Sequence, residues 1–216
     1  MLERGTFRRF RWAGLALLWP ALLACSAGQP SLGFVNARLM GSYIPLSEHH
    51  MLVFGRWGAA FAVAPDVGVT NDHNLNFIPP DRLLARSRDY DLLFFRTGQR
   101  LAPSVAKARI GQEVIAYGQG SDDGLREAKG AVAGIEEYIA PRCQDCPAQR
   151  AMVFDAEAGG GFSGGPVVDA ETGAVVGITF GYLDGKGANG RRRMYAYDMD
   201  LVLAEMRRLL SAPQAR

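Results

Sequence analysis

Short apolar runs broken by Gly, Pro and Asp recur along the chain between residues 51 and 197. Each run is four to seven residues long, which suits a β-strand bounded by turns. We therefore predict strands at 51–55, 59–64, 67–70, 91–95, 113–117, 131–135, 151–154, 166–169, 174–180 and 194–197. Many short strands at close spacing favour an all-β sandwich or barrel.

Helical periodicity emerges only near the C-terminus, over residues 198–210. The apolar positions that recur there at helical spacing are Leu201, Val202, Met206, Leu209 and Leu210. Either Asp198 or Asp200 can serve as the N-cap, because an aspartate oxygen accepts hydrogen bonds from the first free N–H groups of a helix. The pattern as a whole predicts an all-β protein that closes with one C-terminal helix.

Composition indicates an ordinary globular protein, in which 48% of the residues are hydrophobic and 21% are charged. A chain of 216 residues can form one large domain or two small ones. The net charge of +2 is uneven, because four arginines and one glutamate give the first eleven residues +3 and leave −1 for the remainder. A near-neutral body does not support binding to nucleic acid, and we interpret the three arginines at 191–193 as a solvated loop.

The N-terminus has the features of an export signal. A basic segment precedes an apolar stretch, residues 12–23, that is too short to span a bilayer comfortably. The stretch ends in Leu-Leu-Ala-Cys at 22–25, which resembles a bacterial lipoprotein signal in which Cys25 is lipidated and becomes the first mature residue. Ser26 then favours the outer membrane. Ordinary cleavage nearby or an uncleaved anchor stays open, so we expect an exported protein that is outer-membrane-tethered or else periplasmic or secreted.

Two further cysteines, Cys143 and Cys146, form a C-x-x-C motif flanked by prolines. In an oxidising compartment such a pair is most simply a disulfide that closes a small loop. A redox site would be expected at a helix start beside a βαβ pattern, and a zinc site would need two more ligands nearby. We therefore favour the disulfide and predict neither a metal nor a cofactor.

Ser163 lies in the glycine-rich run Ala158-Gly-Gly-Gly-Phe-Ser-Gly-Gly-Pro166, which is either a turn between strands or the site of a nucleophile. A serine hydroxyl needs a base, and the histidines of the chain are His49, His50 and His73. All three precede Ser163. The G-x-S-x-G elbow of α/β-hydrolases is therefore excluded, because its histidine follows the serine.

His73 ends a stretch that begins at Gly58 and reads Gly-Ala-Ala-Phe-Ala-Val-Ala-Pro-Asp-Val-Gly-Val-Thr-Asn-Asp-His. This stretch resembles the histidine-bearing segment of trypsin-like serine proteases, particularly the exported bacterial branch with Deg-type proteases and glutamyl endopeptidases. His49 and His50 lie in a polar segment and are interpreted as surface residues. The resemblance extends over roughly residues 50–210.

Asp91 opens Asp-Leu-Leu-Phe-Phe at 91–95, which is similar to the family segment that carries the acid. Asp89 is the competing candidate, and we prefer Asp91 because the apolar run starts directly after it. The resemblance implies a fold of two six-stranded β-barrels with a closing helix. His73 and Asp91 are only 18 residues apart, which is short for the family and leaves open whether the first barrel is abbreviated.

The run Gly161-Phe-Ser-Gly-Gly-Pro166 is similar to the family's G-[DN]-S-G-G-P motif. The resemblance implies that the N–H groups of Gly161 and Ser163 form the oxyanion hole. Phe162 departs from the motif, because trypsin-like zymogens have there an aspartate that binds a newly formed N-terminal ammonium group. Activation by insertion of the N-terminus is therefore not expected.

The resemblance also implies substrate-binding roles for Thr179, Phe180 and Gly181, which match the strand that walls the primary specificity pocket. Glu157 lies six residues before Ser163, where relatives selective for Lys or Arg carry an acid. A buried carboxylate there would favour basic side chains. The alternative is that the glycines shift the register and Glu157 faces solvent.

These features together predict an exported serine endopeptidase that acts on a protein or peptide through His73, Asp91 and Ser163. Two alternatives stay open: an inactive binding or scaffold protein of the same fold, and an esterase with the same triad. We expect a signal at 1–25, a tether and lead-in segment at 26–48, an N-terminal barrel at 49–108 and a C-terminal barrel with its helix at 109–210.

Overall fold

A computed structural model describes residues 27–50, 54–138 and 148–211 of the chain. Two antiparallel sheets and a C-terminal helix account for most of this part, so the predicted fold class is confirmed. The strands are β1 Gln29–Pro30, β2 Tyr43–His50, β3 Phe54–Ala64, β4 Val67–Thr70, β5 Leu83–Arg86, β6 Leu93–Arg96, β7 Glu113–Gln119, β8 Leu125–Tyr138, β9 Gln149–Asp155, β10 Pro166–Asp169, β11 Val175–Leu183 and β12 Arg193–Asp198.

The C-terminal sheet closes into a barrel. Its strand order is β1-β8-β7-β10-β11-β12-β9. A further pairing between β8 and β9 closes the six strands from β8 to β9 into a ring. One buried cluster is made up of side chains from this barrel and its loops, and a second joins barrel residues to the N-terminal sheet and the C-terminal helix. Strand β1 adds to the outside of β8 through the pairs Gln29–Glu127 and Pro30–Arg126.

The N-terminal sheet has five strands in the order β2-β3-β4-β6-β5 within the described residues. Two short 3-10 helices, Asp72–Phe77 and Pro80–Arg82, and strand β5 occupy the segment between His73 and Asp91. The short spacing between these two residues therefore still accommodates one strand, β5, which is four residues long.

The segment 26–48, which the sequence assigns to a tether, contributes to both sheets. Strand β1 belongs to the C-terminal sheet, and α1 (Ala37–Ser42) leads into β2 of the N-terminal sheet. Strand β2 contains Pro45 and lies at the edge of its sheet, where a missing N–H is tolerated.

The C-terminal helix, α2, spans Met199–Ser211 and confirms the helical periodicity. The Asp198 side chain accepts from the N–H of Leu201 at 2.9 Å, which identifies it as the capping residue. Val202 and Glu205 are buried against the sheets. Across the described ranges, no helix combines the length and apolar character needed to cross a bilayer.

Candidate active site

His73 and Asp91 form the central contact of the candidate site. His73 Nδ1 lies 2.6 Å from Asp91 Oδ2, and the backbone N–H of His73 donates to Asp91 Oδ1 at 3.0 Å. The two bonds fix the carboxylate against both the ring and the main chain of the histidine. An imidazole with its proton on Nδ1 donates to Asp91 and leaves Nε2 free to accept a proton.

The 3-10 helix Asp72–Phe77 carries His73 to the surface at the end of β4. Its neighbour Asp72 accepts two hydrogen bonds from Arg86 of β5, each of 2.6 Å. This bidentate pair ties the helix to the edge of the N-terminal sheet, since a guanidinium matches a carboxylate in geometry. The His73 side chain remains 48% exposed and so is accessible to a substrate.

Asp91, and not Asp89, contacts the histidine. The Asn71 side chain donates to the Asp91 carbonyl at 3.0 Å, and the Asp91 N–H donates to the Tyr197 hydroxyl at 3.1 Å. The Asp89 side chain is 64% exposed and lies 3.2 Å from Arg208 of α2. The two candidate acids therefore have different partners, and only Asp91 faces His73.

Ser163 lies in the loop between β9 and β10, and its backbone is fastened to the N-terminal sheet. The Ser163 carbonyl accepts from the N–H of Ala59 at 2.9 Å and from Asn74 Nδ2 at 3.0 Å. Asn74 also donates to Thr70 Oγ1 at 2.9 Å, so its buried amide links the serine to the end of β4. Because Asn74 follows His73 on the same 3-10 helix, one element positions both the histidine and the serine.

The Ser163 side chain is partly exposed, and its hydroxyl has no hydrogen-bond partner among the residues that the structure describes. The nucleophile–base bond is thus not formed, although the His73–Asp91 bond is. Catalytic hydrogen bonds are often long without substrate and shorten when it binds.

Two backbone N–H groups beside Ser163 are free to bind an anion. Neither Gly161 N–H nor Ser163 N–H donates to an acceptor in the described part of the chain. Gly161 has φ +88°, and a Cβ on it would lie 1.9 Å from the Gln119 carbonyl, so only glycine fits. The Gly161 carbonyl accepts from the Gln119 N–H at 2.9 Å, which fixes the orientation of this peptide.

Phe162 replaces a charged or polar motif residue with a ring that is fully buried. It belongs to the apolar cluster inside the C-terminal barrel, together with Val114, Phe154 and Val176. Its N–H donates to the Gly159 carbonyl at 3.1 Å and closes a tight turn. The ring thus anchors the loop in the core without an ion pair.

Thr179, Phe180 and Gly181 lie on β11 beside the serine loop. Thr179 exchanges backbone hydrogen bonds with the loop, accepting from Gly164 at 2.8 Å and donating to the Gly165 carbonyl at 3.0 Å. Phe180 stacks on Tyr197 with ring centroids 4.1 Å apart. From Phe180 onward, the edge of β11 that faces away from β12 has no partner strand in the described residues, and an extended peptide can pair there.

Glu157 is not in the buried position that a pocket for Lys or Arg requires. Its side chain is 62% exposed and lies 3.7 Å from Arg191, while its carbonyl accepts from the N–H of Gly28 at 2.7 Å. The glycines after it place it on the solvent side of the loop. The acidic pocket floor inferred from residue counting is therefore corrected to a surface ion pair.

Two predicted modifications fall outside the described residues: lipidation of Cys25 and a disulfide between Cys143 and Cys146. Within the described ranges, no group of three or more His, Cys, Asp or Glu side chains has the geometry of a metal site.

Asn74, Tyr197 and Ala59 are site residues that the sequence does not reveal. Each acts through a contact between the two sheets, and no local motif distinguishes it. Asn74 follows directly on His73, so its place next to a motif residue is the only sequence signal.

A model of the trypsin-like peptidase domain matches residues 59–178, which is more than half of the chain and includes His73, Asp91 and Ser163. No curated protein sequence matches the chain significantly.

Several solved structures share the fold. The active form of the Rv3671c protease from M. tuberculosis has a TM-score of 0.66 at 16% identity, covering 88% of this chain and 90% of that one. The HtrA-type protease AlgW with tripeptide has a TM-score of 0.64 at 19% identity, covering 81% of this chain and 62% of AlgW. The MamO protease domain from Magnetospirillum magneticum scores 0.58 at 14% identity, covering 78% and 97%. At these identities the likeness concerns the fold alone.

Proposed function

The chain belongs to the trypsin-like peptidase domain family, and we propose that it is a serine endopeptidase with Ser163 as nucleophile, His73 as general base and Asp91 as the residue that orients the imidazole. The observation that carries the proposal is the 2.6 Å contact between His73 Nδ1 and Asp91 Oδ2. It occurs beside a partly exposed serine flanked by two free backbone N–H groups.

The reaction begins when Ser163 Oγ attacks the scissile carbonyl while His73 Nε2 takes the hydroxyl proton. Charge that develops on the carbonyl oxygen is stabilised by the N–H groups of Gly161 and Ser163, and losing one such donor costs about 3 kcal/mol of transition-state stabilisation. His73 then returns the proton to the leaving amine. Water hydrolyses the acyl-enzyme by the same steps in reverse order, and Asp91 stabilises the imidazolium throughout.

A protein or peptide is the substrate class we infer, bound in extended form along β11. The unpaired edge from Phe180 onward supports this, because it offers backbone donors and acceptors to a peptide strand. The rings of Tyr138, Phe180 and Tyr195 contact one another beside this part of β11. AlgW, which shares the fold, has been solved with a tripeptide.

Hydrolysis of peptides and of small esters by the purified full chain tests the proposal. We expect cleavage of a random peptide library by the wild type and none by Ser163→Ala. Ester cleavage without peptide cleavage would identify an esterase instead.

One observation favours an inactive binding protein as the second candidate: the Ser163 hydroxyl makes no bond to His73 in the described structure. An inactive protein would retain peptide affinity in both the wild type and Ser163→Ala, while neither would hydrolyse the peptide. Fluorescence anisotropy with labelled library fractions separates this outcome from catalysis.

We also propose that the enzyme is exported and held at the cell envelope through a lipid on Cys25, as the sequence of the first 25 residues suggests. Membrane fractionation of the wild type and Cys25→Ser, with mass spectrometry of the mature N-terminus, tests this. A wild-type N-terminus that is unmodified at Ser26 or later would contradict lipidation.

A further inference from the structure

The ring of Phe162 lies between two glycines from different parts of the chain. A Cβ added to Gly118 of β7 would lie 2.6 Å from Phe162 Cγ, and one added to Gly28 would lie 2.5 Å from Phe162 Cζ. Both distances are shorter than real Cβ contacts, so the ring fills a slot that exists only because neither residue has a side chain. Gly118 forms one side of the slot and Gly28 covers the outer end of the ring.

Gly28 is held in this place by its own backbone. Its N–H donates to the Glu157 carbonyl at 2.7 Å, and β1 directly after it pairs with β8. Its φ of +73° belongs to the left-handed region, which glycine adopts without strain.

Ala27 contacts the same loop at another point. A Cβ on Gly159 would lie 2.8 Å from the Ala27 Cβ, so the two backbones approach closely. Residues 27–28 therefore contact the loop that carries Ser163 at three points. These are Glu157, Gly159 and Phe162, in chain order. Between these contacts lie Gly160 and Gly161, which lack side chains to fix their own conformation.

We propose that residues 27–30 are a positioning segment for the oxyanion hole. Gly28 closes the slot over Phe162, the buried ring fixes the turn from Gly159 to Phe162, and this turn directs the Gly161 and Ser163 N–H groups to one point. Apolar packing by this segment thus orients the oxyanion hole, a role that an ion pair to an inserted N-terminus has in trypsin-like zymogens. Its catalytic consequence rests on the proposed function, whereas its effect on the loop does not.

Gly28→Ala in the full chain tests the proposal, with Gly98→Ala as the matched control. Gly98 also has φ +73°, but a Cβ there meets nothing within 4 Å, so both variants share the backbone strain and only one disturbs Phe162. We expect Gly28→Ala to lower kcat for peptide hydrolysis about 10- to 100-fold relative to Gly98→Ala, with KM within about twofold, because the oxyanion contact acts on the transition state. Equal kcat values in the two variants would overturn the proposal.

Hydrogen exchange gives a readout that does not depend on activity. The N–H groups of Phe162 and Gly165 donate to carbonyls of the loop itself, and the N–H of Gly164 donates to the Thr179 carbonyl of β11. In Gly28→Ala they should exchange at least about tenfold faster than in Gly98→Ala. This comparison decides the positioning role even if the wild type proves inactive, and equal exchange rates would reject it.

The double variant Gly28→Ala/Phe162→Leu separates the ring from other contacts of the new methyl group, which would also lie 2.9 Å from the Glu127 carbonyl. Leucine has no Cζ atom and removes the collision with the ring. We expect the double variant to recover at least about threefold in kcat and to slow the exchange of Gly164 and Gly165 relative to Gly28→Ala. No recovery in either measurement would assign the effect to the Glu127 carbonyl and overturn the role of Phe162.

Discussion

The Tyr197 hydroxyl accepts a hydrogen bond from the backbone N–H of Asp91 at 3.1 Å. Tyr197 belongs to the last strand of the C-terminal barrel, whereas Asp91 precedes β6 of the N-terminal sheet. The same hydroxyl donates to Gln149 Oε1, and Gln149 Nε2 donates to the Asp89 carbonyl at 3.1 Å. The C-terminal barrel therefore holds the loop that carries the acid in two places, and packing between the sheets positions the His73–Asp91 pair.

Removing this hydroxyl should impair catalysis more than binding. Burial raises the pKa of Tyr197 well above its usual range, so the group stays protonated and available as a donor. We expect Tyr197→Phe to lower kcat about tenfold, because the Asp91 N–H loses its acceptor, and to destabilise the fold by about 1–2 kcal/mol. Peptide hydrolysis and urea unfolding measure the two effects.

Tyr117→Phe is the control for the loss of a buried tyrosine hydroxyl. Tyr117 is as buried as Tyr197, but its hydroxyl interacts with the Val35 backbone and not with the acid loop. Tyr117→Phe should lower the free energy of unfolding and leave kcat unchanged. An equal fall of kcat in both variants would show that Tyr197 acts only through global stability.

The Asn74 amide should be needed for the geometry of Ser163. Asn74→Ala removes one of the two donors to the Ser163 carbonyl and the bond to Thr70, and we expect kcat to fall about tenfold with a stability loss of about 1–2 kcal/mol. Asn76→Ala, on the exposed side of the same 3-10 helix, is the matched control. Unchanged kcat in Asn74→Ala would show that the Ala59 N–H suffices to hold the serine.

Gly181 should govern the binding of extended peptides along β11. A Cβ there would lie 3.2 Å from the Tyr138 hydroxyl, on the face of β11 where the side chains of a bound peptide strand would lie. We expect Gly181→Ala to raise KM for peptides about tenfold while the hydrolysis of a small ester changes less than about twofold. Gly134→Ala on β8, where a Cβ meets nothing within 4 Å, should change neither. Equal effects on peptide and ester would argue against this edge as the binding surface.

Glu205 should make stability depend on acid pH. Hydrogen bonds from Arg208 lower its pKa and outweigh burial, which raises it, and the Ser87 hydroxyl adds to the lowering. Because the pKa is lower in the folded state, the stabilisation is present above the unfolded-state value and is lost as the pH falls through the folded-state value.

Glu205→Gln should therefore be less stable than the wild type at neutral pH, by about 1–2 kcal/mol, and the difference should shrink as the pH falls below about 4.5. Urea unfolding at several pH values measures the trend, with the exposed Glu113→Gln as control. A difference that stays constant from pH 7 to about pH 3 would show that the ion pair with Arg208 contributes nothing.

Local sequence patterns were sufficient to predict the strands and the helix whose apolar residues recur at regular spacing. Strands β4, β7 and β11 and the helix α2 match predicted runs, because their apolar residues face a core on one or both sides. Strand β3 runs without a break from Phe54 to Ala64, where the sequence predicts two separate strands at 51–55 and 59–64. Strands β1, β2 and β5 escaped prediction. All three lie at sheet edges, and β1 and β5 have no buried residue, so no periodicity marks those two.

The residues of the candidate site also fall into those that the sequence reveals and those that it does not. His73, Asp91 and Ser163 stand in local motifs and could be singled out from the sequence. The contact between Gly28 and Phe162 joins residues more than 130 positions apart, and neither residue indicates its partner in a single sequence. The sequence left Glu157 open between a buried pocket and the solvent, because counting residues across three glycines assumes a backbone course that glycine does not fix.

A fluorophosphonate probe on the full chain tests most directly whether Ser163 is a nucleophile activated by His73. Peptide mass spectrometry should locate one adduct on Ser163 in the wild type, and the adduct should be absent in Ser163→Ala and reduced at least about 100-fold in rate in His73→Ala. An unlabelled wild type, or a label that persists at the same rate in His73→Ala, would contradict the account.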